Sequence, residues 1–341
     1  MNLTELNKVA LAMVTPGKGI LAADESSGTI KKRFDAIKVE STEENRRDYR
    51  EMLFRSTEAM SKYISGVILY DETIWQNAKD GTPLIKLIEQ AGSIPGIKVD
   101  EGTQALPQCP GELVTVGLDK LAERLKKYYE RGARFAKWRA VIDIGSGIPT
   151  MTAISVNAHA LARYAALCQA AQIVPIVEPE VLMDGDHDID RCYEVTQRVL
   201  NKTFQELRVQ RVELEGMVLK PNMAISGKKC AKQASVAEVA EKTVRMLKAC
   251  VPAAVPGIAF LSGGQSDEEA TAHLDAMNKI GNLPWKLTFS YGRALQAAPQ
   301  KAWSGKSGNV TAGQHAFAHR AHMNGLASKG TWESGLEKKV A

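Results

Sequence analysis

Eight short β-type runs punctuate the chain, at Gly19–Ala23, Ile64–Tyr70, Gly96–Val99, Arg134–Arg139, Val174–Glu178, Glu215–Lys220, Gly257–Ser262 and Lys286–Ser290. Each precedes a longer stretch in which apolar residues return at helical spacing, and successive runs lie roughly thirty to forty-five residues apart. Strands alternating with helices in this way predict βα units and a parallel sheet, and eight such units predict a closed (β/α)₈ barrel of the TIM type. Ser41 with Glu44, Ser235 with Glu238 and Ser266 with Glu269 read as capping boxes, and Tyr49, Met52, Leu53, Met60 and Tyr63 trace one helical face after the first of them. Gly132 closes the helix that starts near Leu118. Pro299–Gly313 reads as a polar connection before a last helical stretch. No interdomain linker stands out, so residues 1–341 are expected to form one barrel domain with a short N-terminal helix and a C-terminal helical tail. An open doubly wound sheet would need a Gly-rich turn after its first strand, and none is present.

Composition narrows the class without changing that picture. The 341 residues are 44% hydrophobic and 24% charged with a net charge of +5, and the charges are spread along helices instead of forming a tail or stripe. No nucleic-acid partner is expected, while the mild positive excess favours anionic metabolites. Cys109, Cys168, Cys192, Cys230 and Cys250 are far apart, odd in number and without a C-x-x-C pair, as reduced thiols would be. The stretch Met1–Thr15 is too polar for a signal-peptide core and no run of about eighteen apolar residues occurs, so the expected compartment is the cytoplasm, with no membrane partner.

The polar residues at the ends of the strands carry the chemistry, because catalytic groups of such barrels sit at the C-terminal strand ends. Strand one runs into Asp24, three into Lys98, four into Lys137 and Arg139, five into Glu178 and Glu180, and six into Lys220. Strands seven and eight run into Ser262-Gly263-Gly264 and Ser290-Tyr291-Gly292-Arg293. Side chains alternate along a strand, so Lys137 and Arg139 face one way and Trp138 the other, and Glu178 and Glu180 likewise share a face. Lys137 and Lys220 are then expected in one interior layer with Glu178 between them. A cationic neighbour and an apolar surround free a lysine amine as a nucleophile, and a nearby carboxylate moves the protons of carbinolamine formation and dehydration. Buried ion pairs that hold the barrel shut would explain any one of these residues better than catalysis does, but not seven strand ends at once. The glycines after strands seven and eight let backbone N–H groups approach a phosphate, which Arg293 can grip. Lys98, with Arg33 and Lys32, forms a second cationic locus for the far end of a ligand.

Other motifs fall away. Gly145-Ser146-Gly147 lacks the last glycine of a dinucleotide fingerprint, and Gly305-Lys306-Ser307 has Gln300 where a phosphate loop needs glycine. Asp184–Asp188 starts like a calcium loop but has Ile189 and Val195 at two required positions, and reads as a polar turn capping the next helix. His315, His319 and His322 read as a surface helix face, not a metal site. No metal and no cofactor is expected.

The chain resembles the class I, Schiff-base-forming fructose-1,6-bisphosphate aldolases along nearly its whole length. The likeness rests on Gly19–Ser26, Gly96–Asp100, Phe135–Arg139, Ile176–Glu180, Leu219–Met223, Phe260–Ser266 and Thr288–Leu295. It implies that Lys220 forms the imine, that Glu178 is the principal acid/base assisted by Glu180, that Lys137 and Arg139 flank the reacting centre, and that Asp24 assists cleavage between C3 and C4. It further implies that Ser262, Gly263, Gly264, Ser290, Gly292 and Arg293 bind the C1 phosphate, and that Arg33 and Lys98 serve the C6 end with the loop hydroxyls of Ser26 and Thr29. Thr29 stands where many relatives have Ser. The products would be dihydroxyacetone phosphate and glyceraldehyde 3-phosphate, in glycolysis or gluconeogenesis, and the assembly a homotetramer. Many relatives end in a tyrosine that assists proton exchange at C3, whereas this chain reads Glu337-Lys338-Lys339-Val340-Ala341, so enamine protonation is expected to be slow or to use another group, such as water placed by Glu178 or Glu180. The competing readings are another lysine-imine barrel such as a transaldolase, a non-catalytic phosphometabolite sensor, and a zinc-dependent aldolase.

Overall fold

The computed structural model describes residues 1–338. The terminal Lys339, Val340 and Ala341, on which the expectation about C3 protonation partly rests, lie outside the described residues. The strands in chain order are β1 (Gly19–Ala23), β2 (Ile64–Leu69), β3 (Ile94–Lys98), β4 (Thr103–Ala105), β5 (Leu113–Thr115), β6 (Phe135–Ile142), β7 (Val174–Val181), β8 (Val218–Leu219), β9 (Gly257–Phe260) and β10 (Lys286–Tyr291). β1, β2, β3, β6, β7, β8, β9 and β10 form a closed parallel barrel, with β10 returning to β1 through Ile20 opposite Ser290 and Leu21 opposite Tyr291. The expected (β/α)₈ architecture is therefore present. β4 and β5 are an additional antiparallel hairpin over the strand-end face, which the strand count did not anticipate.

Two apolar layers hold the barrel. Inside it, Ile20, Ile68, Phe135, Val174, Ile176, Val218 and Ala259 pack together, and the N-terminal helix Leu3–Met13 closes the lower mouth with Leu6, Ala10 and Met13. Outside it, the alternate side chains meet the helices. Trp138 turns outward from β6 onto Tyr164 of helix Met151–Ala170, with ring centroids 5.6 Å apart, so Lys137 and Arg139 turn inward. The interior layer needs a glycine beside its largest side chain. Gly96 lies opposite Phe135 in the β3–β6 ladder, and a Cβ there would overlap the Phe135 ring.

Local corrections have identifiable causes. The strand expected over Glu215–Lys220 shrinks to Val218–Leu219, because Leu214–Gly216 is a 3₁₀ turn. The Gln169 amide donates to the carbonyls of Glu213 and Gly216 at 2.7 and 3.2 Å, tying that backbone away from the ladder. The Ser41/Glu44 box gives way to a cap one residue later, where Thr42 accepts from the Asn45 amide at 3.1 Å, and the helical face beyond it splits into helices Glu43–Phe54 and Thr57–Tyr63. Ser235 accepts from Glu238 but the reciprocal bond is missing, whereas Ser266 and Glu269 form the complete box. Pro299 lies inside helix Arg293–Trp303, and the last long helix already starts at Val310, within the expected Pro299–Gly313 connection. His319 bonds to Glu337 and His322 stacks on Tyr63, so the histidine face is partly used in packing the C-terminal segment. Asp188 caps helix Ile189–Val209 through the Arg191 amide at 2.8 Å, as the polar-turn reading requires. Among the described residues, no helix is long and apolar enough to cross a membrane.

Candidate active site

The strand ends converge on a cleft of about 760 Å³, which is the size of a small-molecule site. Lys220, Glu178, Lys137, Asp24, Glu180 and Arg139 line it, together with Ser262, Gly263, Gly264, Ser290, Gly292 and Arg293. Arg33, Lys98, Thr29 and Ser26 line it as well, so every side chain selected from the sequence faces one space.

The centre of the cleft is a chain of alternating charge. β6 and β7 are the longest strands, and their register sets Arg139 opposite Glu178. The Lys220 amide donates to the Val177 carbonyl at 2.8 Å, which continues the ladder one residue past β8 and fixes the direction of its side chain. Glu178 then spans two lysines. One carboxylate oxygen, Oε1, is 3.3 Å from Lys220 Nζ, and the other, Oε2, is 3.4 Å from Lys137 Nζ. Oε2 has no hydrogen-bond partner among the described residues although it is buried. Lys137 also holds Asp24 at 2.8 Å. Lys137, Glu178 and Lys220 are each only about 4% exposed, so this charge chain is dry enough for each neighbour to matter.

Electrostatics separate the roles. Burial opposes the Lys137 ammonium, but Asp24, Glu178 and Asp100 outweigh it and push its pKa above the usual lysine range. Lys137 is thus a fixed cation. Burial likewise opposes the Asp24 carboxylate, yet Lys137 and Lys220 pull its pKa down to about 2, so it stays ionised. Glu180 is pushed above the ordinary carboxylate range, mainly by burial and with help from Glu178, even though it is paired with Arg139.

The rim carries cationic side chains, hydroxyls and glycine turns at two places. Gly263, at φ 55°, turns the chain out of β9, and Arg293 Nη2 donates to its carbonyl at 2.7 Å. Ser290, the next-to-last residue of β10, has a buried hydroxyl with no partner among the described residues, and Gly292 precedes the first turn of helix Arg293–Trp303. After the neighbouring strand β1, Ser26 and Thr29 bring their hydroxyls 3.1 Å apart at the start of helix Ser27–Ala36. Arg33, on the same helix, pairs with Glu25 and lies beside Gly292, so it adjoins the glycine end as well as the Ser26 turn. Lys98 at the end of β3 is held by Asp100 at 3.1 Å. Sequence reasoning missed Asp184, Met183 and Lys228, which come from the two loops that follow β7 and β8 and also line the cleft. A lysine in a Lys-Lys-Cys turn carries no signal that distinguishes it from a solvated one.

Comparison with known proteins agrees with this geometry. The family described as fructose-bisphosphate aldolase class-I matches residues 5–341. A probable fructose-bisphosphate aldolase class 1 of Xanthomonas campestris pv. campestris is 59% identical over 98% of this chain and 100% of its own length. Fructose-bisphosphate aldolase 1 of Toxoplasma gondii is 55% identical over 99% of this chain and 93% of its own. A solved structure of fructose-bisphosphate aldolase from Plasmodium falciparum, in complex with TRAP and a small-molecule inhibitor, superposes with a TM-score of 0.96 at 50% identity, covering 98% of this chain and 96% of that one. The interior charge chain is thus set in a barrel whose whole length has known counterparts, and the protein belongs to the class I fructose-bisphosphate aldolase family.

Proposed function

We propose that Lys220 is the imine-forming residue of a class I aldolase that reversibly cleaves fructose 1,6-bisphosphate to dihydroxyacetone phosphate and glyceraldehyde 3-phosphate. The observation that carries the assignment is the Glu178 carboxylate set between Lys220 and Lys137, with Asp24 on the far side of Lys137. The nucleophile must be the neutral amine, and Glu178 Oε1 is placed to accept a proton from Lys220. Attack of Nζ on the C2 carbonyl gives a carbinolamine, and the same carboxyl returns its proton to the departing hydroxyl, which leaves as water. The resulting iminium withdraws the electrons of the C3–C4 bond. Asp24, ionised at any physiological pH, accepts the C4 hydroxyl proton as that bond breaks, and the aldehyde leaves with an enamine remaining on Lys220. Lys137 keeps its proton throughout and orients both carboxylates, while Arg139 and Glu180 close the wall above them.

The Ser262-Gly263-Gly264 turn, Ser290, Gly292 and Arg293 take the C1 phosphate in this reading. Lys98, Arg33, Ser26 and Thr29 take the other phosphate, with Arg33 near enough to Gly292 to serve both ends. The family likeness also supports a homotetrameric, cytoplasmic enzyme. Borohydride reduction in the presence of a chelator, with and without fructose 1,6-bisphosphate, tests the reading through peptide mass mapping. A substrate-dependent adduct on Lys220, lost in Lys220→Arg, is expected, and an unmodified Lys220 in an active preparation would refute the assignment.

A further inference from the structure

The loops after β7 and β8 meet above the Gly263-Gly264 turn. The amides of Gly227, Lys228 and Lys229 donate to the carbonyls of His187, Met183 and Gly185 at 2.8, 2.7 and 2.9 Å, which fixes the backbone of Lys228 beside the turn that follows β9. The Lys228 side chain lies directly on Gly264. A Cβ at Gly264 would overlap Lys228 Cε and Nζ, so the end of the lysine occupies the space that the absent side chain leaves. Arg293 holds the carbonyl of Gly263 on the same turn, so the dipeptide is attended by two cations.

Two adjacent residues of the β7 loop satisfy the donors of this turn. The Gly264 amide donates to Met183 Sδ at 2.8 Å, although a thioether is a weak acceptor, and Lys228 Nζ pairs with Asp184 Oδ1 at 2.7 Å. The Lys228 and Asp184 side chains are 41% and 61% exposed, so the pair is solvent-screened and easily exchanged for a stronger partner. A phosphate dianion at the turn is such a partner for both donors at once. We infer that Lys228 is a further phosphate-binding residue of this enzyme, and that Met183 and Asp184 are stand-in acceptors which give up the Gly264 amide and the Lys228 ammonium together when the phosphate arrives.

This inference rests on the reading of the Ser262–Gly264 and Ser290–Arg293 turns as the C1-phosphate site, and the test separates the two. The inhibition constant of inorganic phosphate and the KM for fructose 1,6-bisphosphate are measured for the full-length Lys228→Gln, Lys228→Arg, Asp184→Asn and Arg293→Ala enzymes, with melting temperatures confirming that each is folded. Losing one charge-assisted contact in Lys228→Gln is expected to raise both constants about tenfold, with most of the loss recovered in Lys228→Arg. Asp184→Asn removes the competitor and is expected to lower the phosphate constant about threefold. A purely structural ion pair would instead shift Lys228→Gln and Asp184→Asn in the same direction or not at all, which overturns the inference. Phosphate binding unaltered in Arg293→Ala would overturn the underlying site reading as well.

Discussion

Asp24, the residue just past β1, and Lys137, the third residue of β6, form an ion pair of 2.8 Å inside the barrel, and each drives the other toward its charged form. The carboxyl is held at about 2, below an unfolded value of about 3.9. The pairing therefore stabilises the fold above pH ~4 and is lost as pH falls toward 2.

Lys137→Met is expected to destabilise the protein by about 3 kcal/mol at neutral pH, because it leaves Asp24 buried with a weakened counter-charge. The sign of the pH dependence follows from the same pair. Wild-type stability falls between pH 4 and 2 as Asp24 takes up its proton, whereas in the variant protonation relieves the unpaired charge and the difference between the two proteins narrows on acidification. Urea unfolding at pH 7, 4 and 3 checks this, and a constant difference across the series would contradict it.

Glu178→Gln keeps the shape of the charge chain and removes the carboxyl proposed as its proton carrier. The cleavage rate is expected to fall by about 10²–10⁴-fold, and borohydride trapping on Lys220 to slow in parallel, since the proposed mechanism routes both carbinolamine formation and dehydration through that carboxyl. Rapid trapping with slow cleavage would move the role of Glu178 to a later step.

Much of this is legible in the amino-acid sequence, and for physical reasons. Period-two alternation put Lys137 with Arg139 and Glu178 with Glu180, and helical intervals gave eight βα units, so the inward layer followed from counting. What escaped depends either on contacts distant in sequence or on elements too short to leave a periodic pattern. Gln169 unwinds the start of the sixth barrel strand from 44 residues away, Thr42 wins the cap from Ser41 by a one-residue shift, and the β4–β5 hairpin is made of strands only three residues long. Lys228 escaped because its placement rests on distant contacts. Only the pairing of two loops brings it onto Gly264, and nothing local marks it.

The glycine facing Phe135 gives a stability prediction independent of chemistry. In Gly96→Ala the new methyl overlaps a fully buried ring on the neighbouring strand, and a cost of about 3 kcal/mol is expected from overpacking. Phe135→Leu alone opens space and also destabilises, but the two together should be less harmful than the sum of their separate costs, giving a favourable coupling of about 1 kcal/mol or more. Strict additivity in denaturant melts would show that the barrel interior yields elsewhere.

Arg293 is half of the grip on the glycine turn, and its contribution should appear only with a phosphate to hold. The guanidinium touches the Gly263 carbonyl from the first turn of helix Arg293–Trp303, and the helix N-terminus adds its own favourable dipole for an anion. Arg293→Ala is expected to lower kcat/KM for fructose 1,6-bisphosphate by about 10²-fold, a loss consistent with one charge-assisted, bidentate contact. Fructose without its phosphates should be cleaved equally poorly by both enzymes, because the arginine then has nothing to bind. Arg293→Lys should recover only part of the loss, since an ammonium restores the charge but not the planar fork. If unphosphorylated fructose lost as much as the bisphosphate, the arginine would be shaping the turn through Gly263, and the phosphate would have to be held by the backbone donors alone.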